Sequence, residues 1–166
     1  MGLITIQPTA NTTPDPGQGG SAVTGATNTG HGSTASSASD GSTQLKTCLW
    51  TGFPASSGQI LSVTLKADWT NNGSITGVAD NQLLIEYSLN GGGAWNTLLL
   101  HLNVTSLANG TASQALSNSQ DLTTVRVRDS LLAETGGAGD SASITATVSN
   151  IKIEVVTVDA NVIVMM

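Results

Sequence analysis

Few side chains in this sequence have the chemistry for proton transfer near neutral pH or for binding a transition metal. Imidazole and thiol groups, which are preferred zinc ligands, occur only at His31, His101 and Cys48. His31 lies in a stretch rich in Gly and Ser, and His101 lies in a predicted alternating strand, between Leu100 and Leu102. Because neither histidine is accompanied by a Gly-x-Ser-x-Gly nucleophile motif, the sequence predicts no Ser-His-Asp catalysis.

Carboxylates are more numerous, but they are scattered. The aspartates considered as calcium ligands are Asp80, Asp121, Asp129 and Asp140. Calcium requires several oxygen ligands from one or two loops, and these aspartates occur singly. The glutamates available for paired-carboxylate glycoside hydrolysis are Glu86, Glu134 and Glu154, and their spacing selects no pair. We therefore expect no catalytic residue, no metal and no cofactor, and a protein that is not an enzyme.

Composition limits both the size of the fold and its partners. The chain has 166 residues, the size of one domain, and eleven acidic residues against five basic ones give a net charge of −6. This charge does not favour nucleic acid or an anionic membrane as a partner. A single cysteine excludes an intrachain disulfide. The uncharged N-terminus, whose short apolar run is interrupted by Pro8, does not resemble a signal peptide, so a cytoplasmic origin is expected.

Hydrophobic side chains alternate with polar ones in several segments, which is the pattern of half-buried β-strands. The clearest segment runs from Leu61 to Trp69, and a second runs from Leu83 to Leu89. The inward-facing set predicted from these and similar segments is Leu61, Val63, Leu65, Trp69, Leu83, Ile85, Tyr87, Val125, Val127, Ile151, Ile153 and Val155. The alternation changes phase between Val148 and Ile151, which predicts a β-bulge near Ser149 and Asn150.

Seven or eight such strands, joined by loops rich in Gly, Asn and Ser, predict an all-β fold. The expected architecture is an antiparallel β-sandwich, and the choice between a jelly-roll and an Ig-like (immunoglobulin-like) topology stays open. The sandwich domain is expected over residues 45–158. Its tryptophans, Trp50, Trp69 and Trp95, are expected to belong to the core.

Residues 1–44 are expected to form an extended N-terminal arm, and residues 159–166 a C-terminal apolar strand. Between Pro8 and Gln44 the one large aliphatic residue is Val23. This composition offers little apolar area to bury, so residues 8–44 are predicted to bury most of their contact area against other chains. The apolar run Val162–Met166 is predicted either to return to the sheet or to pair with a neighbouring subunit.

The segment Ser88–Trp95 resembles the Asp-box hairpin of sialidase propellers, Ser-x-Asp-x-Gly-x-Thr-Trp. Asn90 stands where that motif has Asp, and Ala94 stands where it has Thr. The motif occurs once here, whereas the propeller enzymes repeat it blade by blade. Because glycines accept positive φ and an Asn side chain can bind the loop backbone, we interpret the segment as a structural turn.

Half of the sixteen Lys, Arg, Asp and Glu residues lie in the predicted strands. They are Lys66, Asp68, Glu86, Arg126, Arg128, Asp129, Lys152 and Glu154. The alternation places them on outward sheet faces, where they can form cross-strand pairs. Two explanations stay open for them: solvation with protection of sheet edges, and a subunit interface.

As a whole, the sequence resembles a β-sandwich structural protein of a tailed bacteriophage. The resemblance covers about residues 45–156, with the segments Leu83–Trp95 and Asp121–Asp129 as its main carriers. It implies a virion component assembled in the host cytoplasm, whose partners are other copies of itself, in a homo-oligomer or lattice, and other virion proteins. Capsid decoration or cement is favoured over other head or tail roles because the body is a single sandwich without repeats.

The residues expected at an assembly interface belong to the two ends of the chain and to one predicted strand. They are Leu3, Ile4, Ile6, Val23, Arg126, Arg128, Val162, Ile163, Val164 and Met165. Two alternatives stay open: an extracellular filament or surface-layer subunit, and a carbohydrate-binding β-sandwich module. An exposed, coplanar pair among Trp50, Trp69, Trp95 and Tyr87 would favour the carbohydrate-binding module.

Overall fold

The computed structural model describes residues 1–158, which form eleven strands and one short 3₁₀ helix at Leu122–Thr124. The strands are β1 (Gly2–Ile6), β2 (Ala10–Thr12), β3 (Ser21–Ala22), β4 (His31–Ser39), β5 (Thr43–Thr51), β6 (Ile60–Thr76), β7 (Ala79–Ser88), β8 (Asn96–Leu102), β9 (Ala108–Leu116), β10 (Arg126–Thr135) and β11 (Ser141–Thr157). Within residues 1–158 no helix is long and apolar enough to cross a membrane.

Two sheets pack face to face, which confirms the predicted antiparallel sandwich. In the first sheet the order is β1, β11, β6, β9, and β4 pairs with the other half of β11. In the second sheet the order is β2, β5, β10, β7, β8, and β3 adds to β5. All of these pairings are antiparallel except the two-residue pairing of β3 with β5.

The predicted inward-facing set forms the core between the sheets, with one exception. Eleven of its twelve members are buried, whereas Leu61 is 41% exposed. The ladder between β6 and β11 pairs Val156 with Ser62 but Thr157 with Ile60. Leu61 is therefore the extra residue of a bulge, and the bulge turns its side chain out of the alternation.

The predicted bulge near Ser149 and Asn150 is confirmed. The register between β11 and β6 shifts between Ser149 and Lys152, and Asn150 has a positive φ of 52°. This extra residue allows both Val148 and Ile151 to point into the core, where each is fully buried.

The structure corrects the expectation that residues 1–44 form an extended arm separate from the sandwich. Residues 2–39 supply four strands that pair within the two sheets, and Val23 and Ala38 are buried in the protein's own core. The physical reason is that short side chains can be buried without large apolar area when their hydroxyls bond to backbone. Thr34 accepts from the Thr24 backbone N–H at 2.8 Å, and Ser36 donates to the Gln44 carbonyl at 3.0 Å. The expected C-terminal strand, residues 159–166, lies outside the described residues.

Candidate functional site

A cleft of about 370 Å³ opens at one edge of the sandwich, beside β8 of the second sheet and the start of β9 of the first. Its polar lining consists of Asn71, His101, Asn103, Thr105 and Ser106, and its apolar lining consists of Leu100, Leu102, Val104 and Ala108. The lining contains no Asp, Glu, Lys or Arg side chain. The volume lies within the range of about 300–1,000 Å³ that is typical of small-ligand sites.

His101 points into the sandwich because it follows the strand alternation of β8, opposite Leu83. Its ring meets the Trp69 indole edge to face, with the ring centres 4.3 Å apart. Asn71 donates from Nδ2 to His101 Nδ1 at 3.0 Å. Because Nδ1 accepts this bond, the neutral imidazole carries its hydrogen on Nε2 and offers it as a donor.

Asn71 is the least satisfied polar group of the cleft. It follows Trp69 by two positions on β6, so the same alternation turns it inward, and it is 1% exposed. Its Oδ1 is buried and has no hydrogen-bond partner among the described residues. An unsatisfied buried acceptor costs about 1–3 kcal/mol, so the lining of the cleft includes an acceptor that a hydrogen-bond donor would stabilise.

The rim of the cleft is held by Asn81, which is fully buried at the start of β7. Asn81 Oδ1 accepts from the Val104 backbone N–H at 2.5 Å, and Nδ2 donates to the Val104 carbonyl at 2.8 Å and to the Ser143 carbonyl at 2.6 Å. This one amide therefore ties the loop after β8 to the beginning of β11 in the opposite sheet.

Replacing Asn81 with alanine is expected to lower the free energy of unfolding by about 2–4 kcal/mol, because it leaves the buried backbone groups of Val104 without partners. Urea denaturation followed by tryptophan fluorescence measures the change. The matched control is Gln82→Ala on the outward face of the same strand, for which a change within about 0.5 kcal/mol is expected. Equal effects for the two variants would contradict the role assigned to Asn81.

A second polar group, the pair His31 and Asp129, lies inside the core. His31 Nε2 is 2.8 Å from Asp129 Oδ2, and neither side chain is exposed. His31 Nδ1 is 2.6 Å from the Gly32 carbonyl, so it donates there and the link to Asp129 needs a second proton. His31 therefore lies in the core and not in an extended arm, and the predicted outward placement of Asp129 is wrong. The pair joins β4 of one sheet to β10 of the other.

Two opposing effects act on each member of this pair. Burial works to lower the pKa of His31, but the hydrogen bond and charge of Asp129 together with the Gly32 carbonyl outweigh it and raise the pKa above 6.5. Burial raises the pKa of Asp129, and the bond to His31 opposes this only in part. The nearby Cys48 thiol has its pKa raised to about 12 by burial and by the charge of Asp129, which excludes a thiolate nucleophile near neutral pH.

Arg128 lies at the centre of a charged cluster on the outer face of the second sheet. Its Nε donates to Glu86 at 2.7 Å, and its guanidinium lies 3.9 Å from the centre of a Trp95 ring. Its Nη1 is 3.9 Å from Asp15, whose backbone N–H donates to Thr47 at 2.9 Å. The cluster therefore helps to fasten the N-terminal segment to the sheet.

Other charged strand residues form ion pairs or hydrogen bonds, some between strands and one along β11. On the outer face of the first sheet, Glu154 binds Lys66 at 2.6 Å and Lys152 at 2.9 Å. Asp68 accepts from Thr111 at 2.5 Å and from Asn150 at 2.8 Å. Glu154 lies on the other sheet from Glu86 and Glu134, and Glu134 lies opposite Asp80, at the other end of β7 from Glu86. The glutamates considered for glycoside hydrolysis are therefore not brought together as a catalytic pair.

The aspartates considered as calcium ligands are not brought together either. Asp129 is in the core, and Asp121 caps the 3₁₀ helix through the Thr123 N–H. Across the described chain no group of three His, Cys, Asp or Glu side chains is arranged to hold a metal ion.

The Asp-box-like hairpin has the geometry of a structural turn. Asn90 Oδ1 accepts from the Ala94 N–H and from the Ser88 hydroxyl, both at 2.9 Å. Gly91 and Gly92 have φ values of 75° and 100°, a left-handed region that glycine adopts without strain. The side-chain bonds therefore stabilise the hairpin itself.

The predicted assembly residues fall into four groups. Leu3 and Ile4 are 64% and 39% exposed. Ile6 and Val23 are buried in the protein's own core, and Arg126 and Arg128 are half-buried on the outer face of β10. The remaining members, Val162, Ile163, Val164 and Met165, lie outside the described residues.

The aromatic side chains do not form a flat binding platform. Trp50, Trp69 and Tyr87 are buried, and half-buried Trp95 has Arg128 over its ring. The exposed coplanar pair that would favour a carbohydrate-binding module is therefore not present among these four residues.

No protein-family model matches the chain, and no curated protein matches it. Several solved structures resemble it in part. One is a CBM61 in complex with β-1,4-galactotriose, at 10% identity and a TM-score of 0.34, with 73% of this chain and 67% of that chain covered. Another is a CBM4, at 12% identity and a TM-score of 0.32, with 75% and 84% covered. A third is the N-terminal cellulose-binding domain of β-1,4-glucanase C from Cellulomonas fimi, at 15% identity and a TM-score of 0.30, with 77% and 81% covered.

Proposed function

We propose that this protein is a non-catalytic β-sandwich binding module whose ligand is a neutral saccharide, bound in the cleft beside β8. The observation that carries the proposal is the unpartnered, buried Oδ1 of Asn71 next to the Nε2 donor of His101 in a cleft without charged side chains. A protein that binds polysaccharide would act outside the cell. An extracellular location is also what one of the alternatives left open by the sequence implies.

The chemistry of the lining favours hydroxyl groups over charged ligands. A hydroxyl can donate to Asn71 and also accept from His101, so one type of ligand group satisfies both. A phosphate or carboxylate would find no cationic side chain in the lining to compensate its lost hydration. Leu100 and Leu102 offer apolar area to the C–H faces of a sugar ring. Since no aromatic platform is available, we expect weak affinity, with a Kd on the order of 1 mM or about −4 kcal/mol.

Titration of the ¹⁵N-labelled protein with β-1,4-linked galacto- and gluco-oligosaccharides tests this proposal by NMR. The expected result is saturable changes in the chemical shifts of the backbone amides of residues 100–108.

Asn71→Leu removes the acceptor and is expected to weaken binding about tenfold or more, since a lost hydrogen bond to a buried group costs about 1–3 kcal/mol. The matched control is Asn72→Leu, on the exposed outer face of the same strand, which should bind as the wild type does. Saturable binding that maps outside the cleft, or no binding of any saccharide tested, would overturn the proposal.

The second candidate function is the assembly subunit that the sequence predicts, a structural protein of a virus particle. The observation that favours it is the exposed, uncharged edge strand β1. Electron microscopy of the concentrated protein tests this candidate, because a lattice-forming subunit is expected to give ordered oligomers. A protein that stays monomeric at every concentration would contradict it.

A further inference from the structure

The strand β1 has one side without a partner among residues 1–158. It pairs with β11 from Gly2 opposite Thr157 to Ile6 opposite Ile153, and it lies at the end of its sheet. Backbone N–H and C=O groups on the open side of an edge strand can pair with another strand. The cleft beside β8 lies at the opposite edge of the sandwich, so the two surfaces are separate.

Nothing in the composition of β1 protects this edge. Its sequence, Gly-Leu-Ile-Thr-Ile, contains no charge and no proline, which are the usual devices against edge-to-edge pairing. Leu3 and Ile4 are both exposed although they point to opposite faces of the strand. At the same end of the sheet, Val158, which follows β11, and Leu61, which lies on β6 beyond β11, are also exposed. An apolar surface therefore adjoins an open row of backbone groups.

The charges near β1 permit two copies to approach. The protein as a whole carries a net charge of −6, so association through most of its surface would bring like charges together. The ionic cluster on the neighbouring outer face consists of two lysines and two carboxylates, Lys66, Lys152, Asp68 and Glu154, which sum to no net charge. This edge is therefore a place where the overall repulsion is weak.

We infer that this edge is a contact between two copies of the chain, in which β1 of one copy pairs antiparallel with β1 of the other about a two-fold axis near Ile4. An antiparallel pair of identical strands is self-complementary, as a two-fold interface requires. It joins the two first sheets into one continuous sheet and covers Leu3 and Ile4 from both copies. The inference rests on the assembly role and not on saccharide binding.

Sedimentation velocity of the full-length protein over a range of concentrations tests the inference. The wild type is expected to dimerise, and Leu3→Lys is expected to raise the dimer Kd about tenfold or more, since lysine at an edge opposes strand pairing. Val78→Lys, at a second strongly exposed apolar residue away from β1, is the matched control and should dimerise as the wild type does. Ile163→Lys should also dimerise normally, because the pairing is assigned to β1.

A cysteine at the two-fold axis gives an independent measurement. Opposed residues of an antiparallel pair have Cα atoms about 4.5–5.5 Å apart, which suits a disulfide, so Ile4→Cys should give a cross-linked dimer on a non-reducing gel. Cys48 is buried and does not compete. A monomeric wild type, a dimer that Leu3→Lys leaves unchanged, or no cross-link from Ile4→Cys would overturn the inference, and none of these outcomes would affect saccharide binding in the cleft.

Discussion

Replacing His31 with leucine is expected to lower the free energy of unfolding at pH 7 by about 3–5 kcal/mol, the cost of leaving one member of a buried pair without its partner. Asp129 would lose the only side chain that bonds to its Oδ2 at 2.8 Å, while its Oδ1 already has no hydrogen-bond partner in the described structure. Urea denaturation followed by far-UV circular dichroism measures the loss. The double variant His31→Leu/Asp129→Leu is the control, because replacing both members with apolar side chains removes the unpaired charge and should recover most of the stability.

The pH dependence of these variants tests the same assignment. In the wild type the pKa of His31 is raised above 6.5, so its contribution is complete below pH 6.5 and is lost as the pH rises through the folded-state pKa. In His31→Leu the pKa of Asp129 stays raised by burial. The folded variant then keeps a proton that the unfolded chain releases near pH 3.9, so its stability falls as the pH rises above about 4. The deficit relative to the double variant should therefore be smaller at pH 4 than at pH 7, and a deficit independent of pH would contradict an ionisable buried Asp129.

The parts of the fold that were predictable from sequence are those where one sheet face is large and apolar. Alternation between Val63 and Trp69 specifies which face is buried, because a one-residue slip would expose every apolar side chain. The β4 strand gave no such pattern, since its inward residues are His31, Thr34, Ser36 and Ala38. Their burial depends on partners distant in sequence, and His31 and Asp129 are 98 positions apart. No local pattern encodes such a pair.

The candidate site was only partly visible from sequence. The alternation on β6 that places Trp69 in the core also places Asn71 there, so an inward-facing amide could have been predicted by extending the pattern two residues further. His101 was correctly placed in an alternating strand, but its contact with Trp69 joins β8 of one sheet to β6 of the other. The cleft arises where the edge strands β8 and β9 of the two sheets come together next to Asn71 of β6, and that arrangement depends on the strand order of both sheets.

Replacing Ile85 with aspartate is expected to prevent folding altogether. Ile85 is fully buried in the middle of β7, between Asp129 of β10 and Leu99 of β8, so the new carboxylate would have no solvent and would face another acid. An unpaired buried charge costs several kcal/mol or more, which is comparable with the whole stability of about 5–15 kcal/mol of a domain. The measurement is the dispersion of amide resonances in a ¹H–¹⁵N spectrum, which should collapse. Leu84→Asp, one position earlier on the half-buried outer face, is the matched control and should keep the dispersed spectrum, because its carboxylate can remain hydrated. A folded Ile85→Asp protein would show that the face of β7 assigned to the core is wrong.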